Sequence, residues 1–306
     1  MQKKNNCIRF SIPGGEHEGA INVYRPVDGF FIYIIDIHTV TIPEIDTDSP
    51  PKGRIVKINY CEHGRCELMT KTGEYTYLVG GEVAVDTGQT ESHFYYPTSD
   101  YSGIEIVVFM DDNLETIPCL NAYADVLQGV CLAQVDAQPR PLIFPADEII
   151  SRITTQIRTY DQMNLDSEMM LLKGLELLTW IAQRPHDQTS VPRRFYTLSQ
   201  IEIARSCFDL INADLSIRWT AKALAEKYGI SESSVKNYFR NVYGFGFQEY
   251  QNKLRMERAA DLLSNCDQKV REIAHAVGYT SQIRFSETFE KYFGCLPLEF
   301  RRRKRL

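Results

Sequence analysis

Two clusters of side chains, polar but for one isoleucine, stand out near the C-terminus of this 306-residue chain. Ser233, Ser234, Lys236, Asn237 and Arg240 form one, and Gln282, Ile283, Arg284, Ser286 and Glu287 form the other, about fifty positions later. Gln, Asn, Arg and Lys can bond base edges or grip phosphates, and Ser does either weakly. Glu287 is the awkward member. Phosphates repel it, so it either accepts from a cytosine amino group or pairs with Arg284. The competing reading of both clusters is a solvated polar surface.

The elements that must position these clusters are written twice. Ala225, Gly229, Phe239, Gly244 and Tyr250 recur as Ala274, Gly278, Phe289, Gly294 and Phe300, offset by 49 residues at the front and 50 at the back. Such a period marks a duplicated supersecondary unit. Each copy reads as helix, turn, helix. In the first, Ala221, Leu224, Ala225 and Tyr228 repeat at helical spacing, Gly229 ends the helix, and Ser231 caps the next. The inner stripe of that second helix is Val235, Tyr238, Phe239 and Val242. In the second copy Ile273, Ala274 and Val277 face inward, Gly278 turns, Thr280 or Ser281 caps, and Phe285, Phe289 and Phe293 form the stripe. One copy alone could be an αα-hairpin packed only for stability; two copies with matching small, turn and aromatic positions disfavour that. Between them Phe247 to Leu263 reads as one helix, with Tyr250, Leu254, Ala259, Leu262 and Leu263 on or near its inner face.

The run Leu224-Ala225, Gly229, Ser231, Phe239, Gly244, Tyr250, Arg255, Ala259, Leu262-Leu263, then Ile273-Ala274, Gly278-Tyr279, Ser281, Phe285, Phe289, Gly294, Pro297 and Phe300-Arg301 resembles the DNA-binding domain of the AraC/XylS family of bacterial transcription regulators. The resemblance covers roughly the last hundred residues. It implies two helix-turn-helix units, each placing its second helix in a major groove of double-stranded promoter DNA. It puts Ser233, Lys236 and Asn237, and Gln282, Ile283, Arg284 and Glu287, at base-reading positions. Arg255 falls at the family's usual arginine, which either holds the two units together or touches backbone phosphate. A rigid connector would let the units meet successive major grooves about 34 Å apart. The closing run Arg301, Arg302, Arg303, Lys304 and Arg305 reads as phosphate contact or solvated charge. The family most often activates, which implies RNA polymerase as a partner.

Charge is divided along the chain. The formal net charge is −6, yet residues 191–306 hold 20 Lys+Arg against 13 Asp+Glu, a balance of +7, leaving −13 for the rest. A basic reader beside an acidic domain fits DNA contact by the former alone. Met1 to Gly15 lacks an apolar core of signal-peptide length, and Phe30 to Ile37 is too short to span a bilayer, so a cytoplasmic protein is expected. The eight cysteines show no disulfide rhythm and are expected to be reduced. Cys61 and Cys66 flank Glu62-His63-Gly64-Arg65, which reads as a hairpin turn that could bring them face to face for a redox or metal role. No CxxC supports this.

Residues 20 to 110 read as short strands with Gly, Asp and Pro punctuation, which suggests a small barrel or jelly roll. The pattern resembles the cupin-like sensor barrel of AraC-type regulators. Metal-dependent cupins use a His-x-His pair, and His17, His38, His63 and His93 lack that spacing, so neither metal nor cofactor is expected. An interior lined by Tyr60, Tyr77, Phe94, Tyr95 and Tyr96 would suit a small-molecule effector; the alternative is that these rings only fill the core. Ile149, Ile150, Ile153 and Ile157 form one helical stripe, and Met169, Leu171, Leu172, Leu175, Leu177, Leu178 and Ile181 another. The pair resembles the family's dimerisation element, which implies a homodimer; the alternative is packing on the chain's own barrel.

The expected architecture is multidomain: a mainly-β cupin-like barrel over residues 1–140, a helical dimerisation element over 141–185, a linker over 186–199, and an all-α double helix-turn-helix domain over 200–306. The expected function is a non-enzymatic, sequence-specific activator with an effector site in the barrel. The alternatives are a ligand-independent regulator set by its own abundance and a cupin enzyme with an accessory helical domain. A DNA-repair methyltransferase fused to this reader would need a zinc-bound cysteine cluster, which the cysteine spacing does not supply.

Overall fold

The computed structural model describes residues 7–14, 18–42, 54–87, 95–110, 140–183 and 193–305. Phe94, His17, His93, Cys119, Cys131 and residues 186–192 of the expected linker lie outside them. The chain divides into two compact units, Met1–Thr197 and Leu198–Leu306.

The first unit is an antiparallel sheet of β1 (Cys7–Ile12), β2 (Gly19–Val27), β3 (Phe30–Ile37), β4 (Arg54–Met69), β5 (Tyr75–Val79), β6 (Glu82–Asp86), β7 (Tyr101–Met110) and β8 (Leu142–Pro145). The strand order is β1-β2-β3-β7-β4-β6-β8, with β5 paired to β4. Among the described strands β1 and β8 end this order without pairing to each other, so the sheet is not closed. Side chains alternate across a strand, and here both faces are covered. Phe30, Ile32 and Ile34 of β3 join Ile104, Ile106 and Val108 of β7 in one cluster with helices α1 (Glu148–Gln162) and α2 (Ser167–Ala182). Ile35 and Ile37, next along β3, join a second cluster with Leu78, Tyr96 and Tyr101. Each fully buried aliphatic or aromatic side chain contributes about 1.5–3 kcal/mol before the entropy of ordering the chain is counted.

Residues Glu62 to Arg65 are not a hairpin turn. They lie inside β4, where the pairing with β7 shifts register between Cys61 and His63. Pairing with β6 ends at Cys61 and pairing with β7 at Gly64, and from Arg65 onward the strand pairs with β5. Cys61 and Cys66 therefore share one strand. Both are buried, and the Cys61 thiol, pushed by burial up to about 12, lies 3.4 Å from the His63 carbonyl. Burial also pushes the Cys66 thiol up. Thiols held protonated in this way make poor nucleophiles and ligands.

Helices α1 and α2 are fastened to the sheet by polar contacts as well as by the apolar stripe. Asp161 accepts from Asn22 Nδ2 (2.8 Å) and from the Tyr24 hydroxyl (2.8 Å). Arg158 meets Glu62 at 2.7 Å and donates to the carbonyls of Ile35 and Gly103. Most of the two leucine-isoleucine stripes is spent here: Ile150, Ile153, Ile157, Leu175, Leu177, Leu178 and Ile181 are all buried, while Leu172 and Met169 stay exposed. The end of the expected linker is also structured. Tyr196 exchanges backbone hydrogen bonds with Tyr75 of β5 (2.8 and 2.9 Å), and Arg193 pairs with Glu82 and donates to the Tyr77 carbonyl.

The second unit is all helix: α3 (Leu198–Ala213), α4 (Ala221–Tyr228), α5 (Glu232–Tyr243), α6 (Phe247–Asn265), α7 (Val270–Ala276), α8 (Gln282–Phe293) and α9 (Pro297–Arg305). The duplication is visible atom by atom. Gly229 (φ 66°) and Gly278 (φ 80°) occupy the left-handed turn, after which the amide of Ile230 returns to the Ala225 carbonyl and that of Tyr279 to the Ala274 carbonyl. Ser231 caps α5 and Ser281, rather than Thr280, caps α8. Cap to Phe239 and cap to Phe289 are the same distance in sequence, so the extra residue of the second copy lies in its turn.

Candidate nucleic-acid interface

Helices α5 and α8 are a matched pair. Both have 12 residues, a serine cap and a left-handed glycine at the far end. On α5, Val235, Phe239, Val242 and Tyr243 are buried, which leaves Ser233, Lys236, Asn237 and Arg240 exposed along the opposite face. Ser234 is half-buried, its hydroxyl 2.9 Å from that of Ser231, and the Ser233 hydroxyl also meets the cap at 2.8 Å. On α8, Phe285 and Phe289 are buried, Gln282, Ile283, Arg284 and Glu287 are exposed, and Ser286 is half-buried. Lys236 lies 3.8 Å from Glu232, an exposed pair too weak to hold the ammonium back from a phosphate. Each cluster thus sits on one helix face, with its side chains directed away from the core.

Arg255 lies within the frame of the helical unit. It is 2% exposed. Its Nε donates to the Leu215 carbonyl and its Nη2 to the Ile217 carbonyl, both at 2.9 Å. With its guanidinium committed to carbonyls inside the domain, the geometry favours the role of holding the two copies together over phosphate contact. Two further side chains of α6 extend the same contact. Gln251 donates to the Ile217 carbonyl (3.3 Å) and Gln248 to the Trp219 carbonyl (2.9 Å). Positions 248, 251 and 255 share one helix face, so the connector holds every second carbonyl of the segment before α4. Gly278 closes the arrangement. A Cβ there would meet Arg255 Nη2 at 2.6 Å and the carbonyls of Leu215 and Ser216 at 2.7 Å. The arginine therefore ties the loop before the first helix-turn-helix copy to the turn of the second copy.

The inner face of α6 differs from the sequence expectation for the same reason. Gln251 and Arg255 are buried beside Phe247, Met256, Ala259 and Leu263, whereas Tyr250 and Leu254 are only half-buried. In the closing run, Arg301 donates to the carbonyls of Leu263 and Gln268, and Arg303 pairs with Glu299, leaving Arg302 and Lys304 exposed.

The aromatic side chains expected to line an effector site are not gathered together. Tyr60 lies in the cluster under α1 and α2, and Tyr96 packs on Tyr101 (4.7 Å between ring centres) in the cluster on the other face. Tyr77 is buried with its hydroxyl 2.6 Å from Glu67, and Phe94 lies outside the described residues. A group the sequence reading passed over is Glu105, 6% exposed, which accepts from Asn59 Nδ2 at 3.3 Å while Asn59 accepts from the Tyr101 hydroxyl. Burial raises its carboxyl above the usual range, against a weaker pull from Lys57. A carboxyl raised in the folded state supports stability at acid pH, and that support is lost as pH rises through its folded value. Glu105→Gln should therefore raise the neutral-pH Tm of this unit and flatten its decline from acid to neutral pH. A thermal melt series across that range checks both; an unchanged slope would show that the carboxyl carries no such penalty.

The arrangement defines a class: two capped helix-turn-helix copies carried by one connector helix, presenting two polar faces of the kind that read DNA. Residues 224–303 match the model of a helix-turn-helix domain. The chain is 31% identical over 262 residues to transcriptional activator AggR of Escherichia coli, covering 80% of this chain and 94% of that protein. It is 33% identical over 105 residues to the HTH-type transcriptional activator RhaR of Mannheimia succiniciproducens, covering 34% of this chain and 38% of that one. It is 38% identical over 87 residues to the RCS-specific HTH-type transcriptional activator RclR of Escherichia coli K12, covering 28% and 31%. Less than two fifths of the length of these last two relatives is therefore spanned. The chain belongs to the AraC/XylS family of transcription regulators.

Proposed function

We propose that this protein is a sequence-specific transcription activator that reads two neighbouring major-groove segments of promoter DNA, one with α5 and one with α8. The observation that carries the reading is the pair of equal, serine-capped helices whose polar faces are exposed and whose frame is fixed through Arg255. The activator names of the three relatives support the sign of regulation, with RNA polymerase as the partner. The protein works in the cytoplasm without catalysing a reaction; no helix among the described residues is long and apolar enough to cross a membrane. Residues 1–140 serve as a cupin-like domain and 141–185 as the dimerisation element, the latter supported by exposed Leu172 and Met169 on α2. Residues 186–199 join these to the reader at 200–306. An effector in the first domain would act by shifting the population of DNA-competent states. The second reading, control by abundance without a ligand, is favoured by the dispersal of Tyr60, Tyr77 and Tyr96 into packed positions.

The test is a comparison of two double variants. Lys236→Ala with Asn237→Ala, and Gln282→Ala with Arg284→Ala, should each weaken specific binding by about 10- to 100-fold per lost base contact. The salt dependence should become shallower only where a phosphate contact is also removed. Fluorescence anisotropy on a preferred and a scrambled duplex gives both quantities. Unchanged affinity and preference in both variants would remove the two helices from the interface.

A further inference from the structure

We propose that Ile283 reads the 5-methyl group of a thymine in the groove segment faced by α8, an inference that rests on the DNA-reading function proposed above. Ile283 is 71% exposed, the highest value among the exposed large apolar side chains of the described residues. It stands in the first turn of α8 between exposed Gln282 and Arg284, opposite the buried Phe285 and Phe289. Nothing local accounts for an isoleucine there. The cap is supplied by Ser281, the core by the phenylalanines, and a β-branched side chain is a weaker helix former than the Lys, Glu or Ala that an exposed site favours.

The chemistry of the groove narrows what such a side chain can recognise. Isoleucine has neither donor nor acceptor, and the thymine methyl is the apolar feature on the major-groove edges. In a helix its β-branch leaves one strongly preferred χ1 rotamer, so its methyl groups are held in place before DNA arrives. The first copy differs at the matching position. Phe239 corresponds to Phe289 and therefore Ser233 to Ile283, and Ser233 presents a hydroxyl that already meets the Ser231 cap at 2.8 Å. The two units thus read unlike chemistry, and the two halves of the DNA site are not repeats of one sequence.

Deoxyuridine isolates the methyl, since it keeps every hydrogen bond of thymine. On a duplex preferred by the full chain, thymines in the segment protected by α8 are replaced one at a time. The wild-type protein should lose about four- to tenfold in affinity at one position, the value of burying one methyl group and its neighbour. Ile283→Ala should bind the thymine duplex correspondingly less well and no longer distinguish it from the deoxyuridine duplex, while Ile283→Val keeps part of the discrimination. The site is exposed, so these variants should melt like the parent. The proposal is overturned if no deoxyuridine duplex weakens wild-type binding, if the segment contains no thymine, or if Ile283→Ala still discriminates. Failure of the parent reading looks different: no duplex is preferred over another, and both fall together.

Discussion

Arg255→Ala should lower the stability of the DNA-reading unit by about 3–5 kcal/mol and abolish DNA binding as a consequence. Removing a buried charged donor leaves its acceptors stranded, and each buried carbonyl without a partner costs about 1–3 kcal/mol. Leu215 loses its bond from this side chain and Ile217 one of its two. The void left beside Gly278 and Tyr279 adds to the loss. Arg255→Lys should rescue little, because one ammonium on a flexible stem cannot reproduce the fork that spans two carbonyls. The measurement is the unfolding transition of the second unit by calorimetry, followed in parallel with DNA affinity. A phosphate-contacting arginine would give the opposite pattern: an unchanged transition, weaker binding, and a salt slope reduced by about one.

The second large effect is expected in the other unit. Gly64→Ala should prevent the first unit from folding as a stable sheet. Gly64 has φ +82°, and a Cβ there would lie 1.9 Å from the Asp100 carbonyl oxygen and 3.0 Å from Tyr101 Cα. Both neighbours are backbone, so no side chain can swing aside. Gly81 supplies the control, with φ +84° and nothing within 4 Å of its Cβ. Gly81→Ala should therefore show only the left-handed penalty of about 1–2 kcal/mol. Comparing soluble yield and urea midpoints of the two variants separates collision from conformational preference. Equal losses would mean that the bulge in β4 yields to accommodate the methyl.

The duplicated reader was legible because its signals are local. Ala225 and Ala274, the two turn glycines and the serine caps each act within one helical turn, and spacing alone locates them. The buried face of α6 was less legible. Gln251 and Arg255 look like solvent-facing residues, and only the carbonyls of residues 215 and 217, far away in sequence, make their burial favourable. Gln248, Gln251 and Arg255 at one face of a helix were the available sign. The first unit was harder still. In Ile104-Glu105-Ile106 the alternation suggests an apolar inside and a polar outside, yet helices cover one face and the remaining strands cover the other, so Glu105 is buried as well. The stretch Cys61 to Cys66 looked like a turn because Gly64 is there. Its left-handed backbone instead lies just past a bulge within a continuous strand, against the backbone of Asp100 and Tyr101, a role with the same local sequence requirement.

The measurement that bears most directly on the reader is selection of bound duplexes from a random pool by the full chain, with sequencing of the survivors. The expected result is a motif of two unlike conserved patches, about 10 base pairs centre to centre, one on each successive major groove. Repeating the selection with Lys236→Ala/Asn237→Ala should erase one patch, and with Gln282→Ala/Arg284→Ala the other. An unenriched pool, or a single patch that neither variant alters, would contradict the claim that α5 and α8 both read bases.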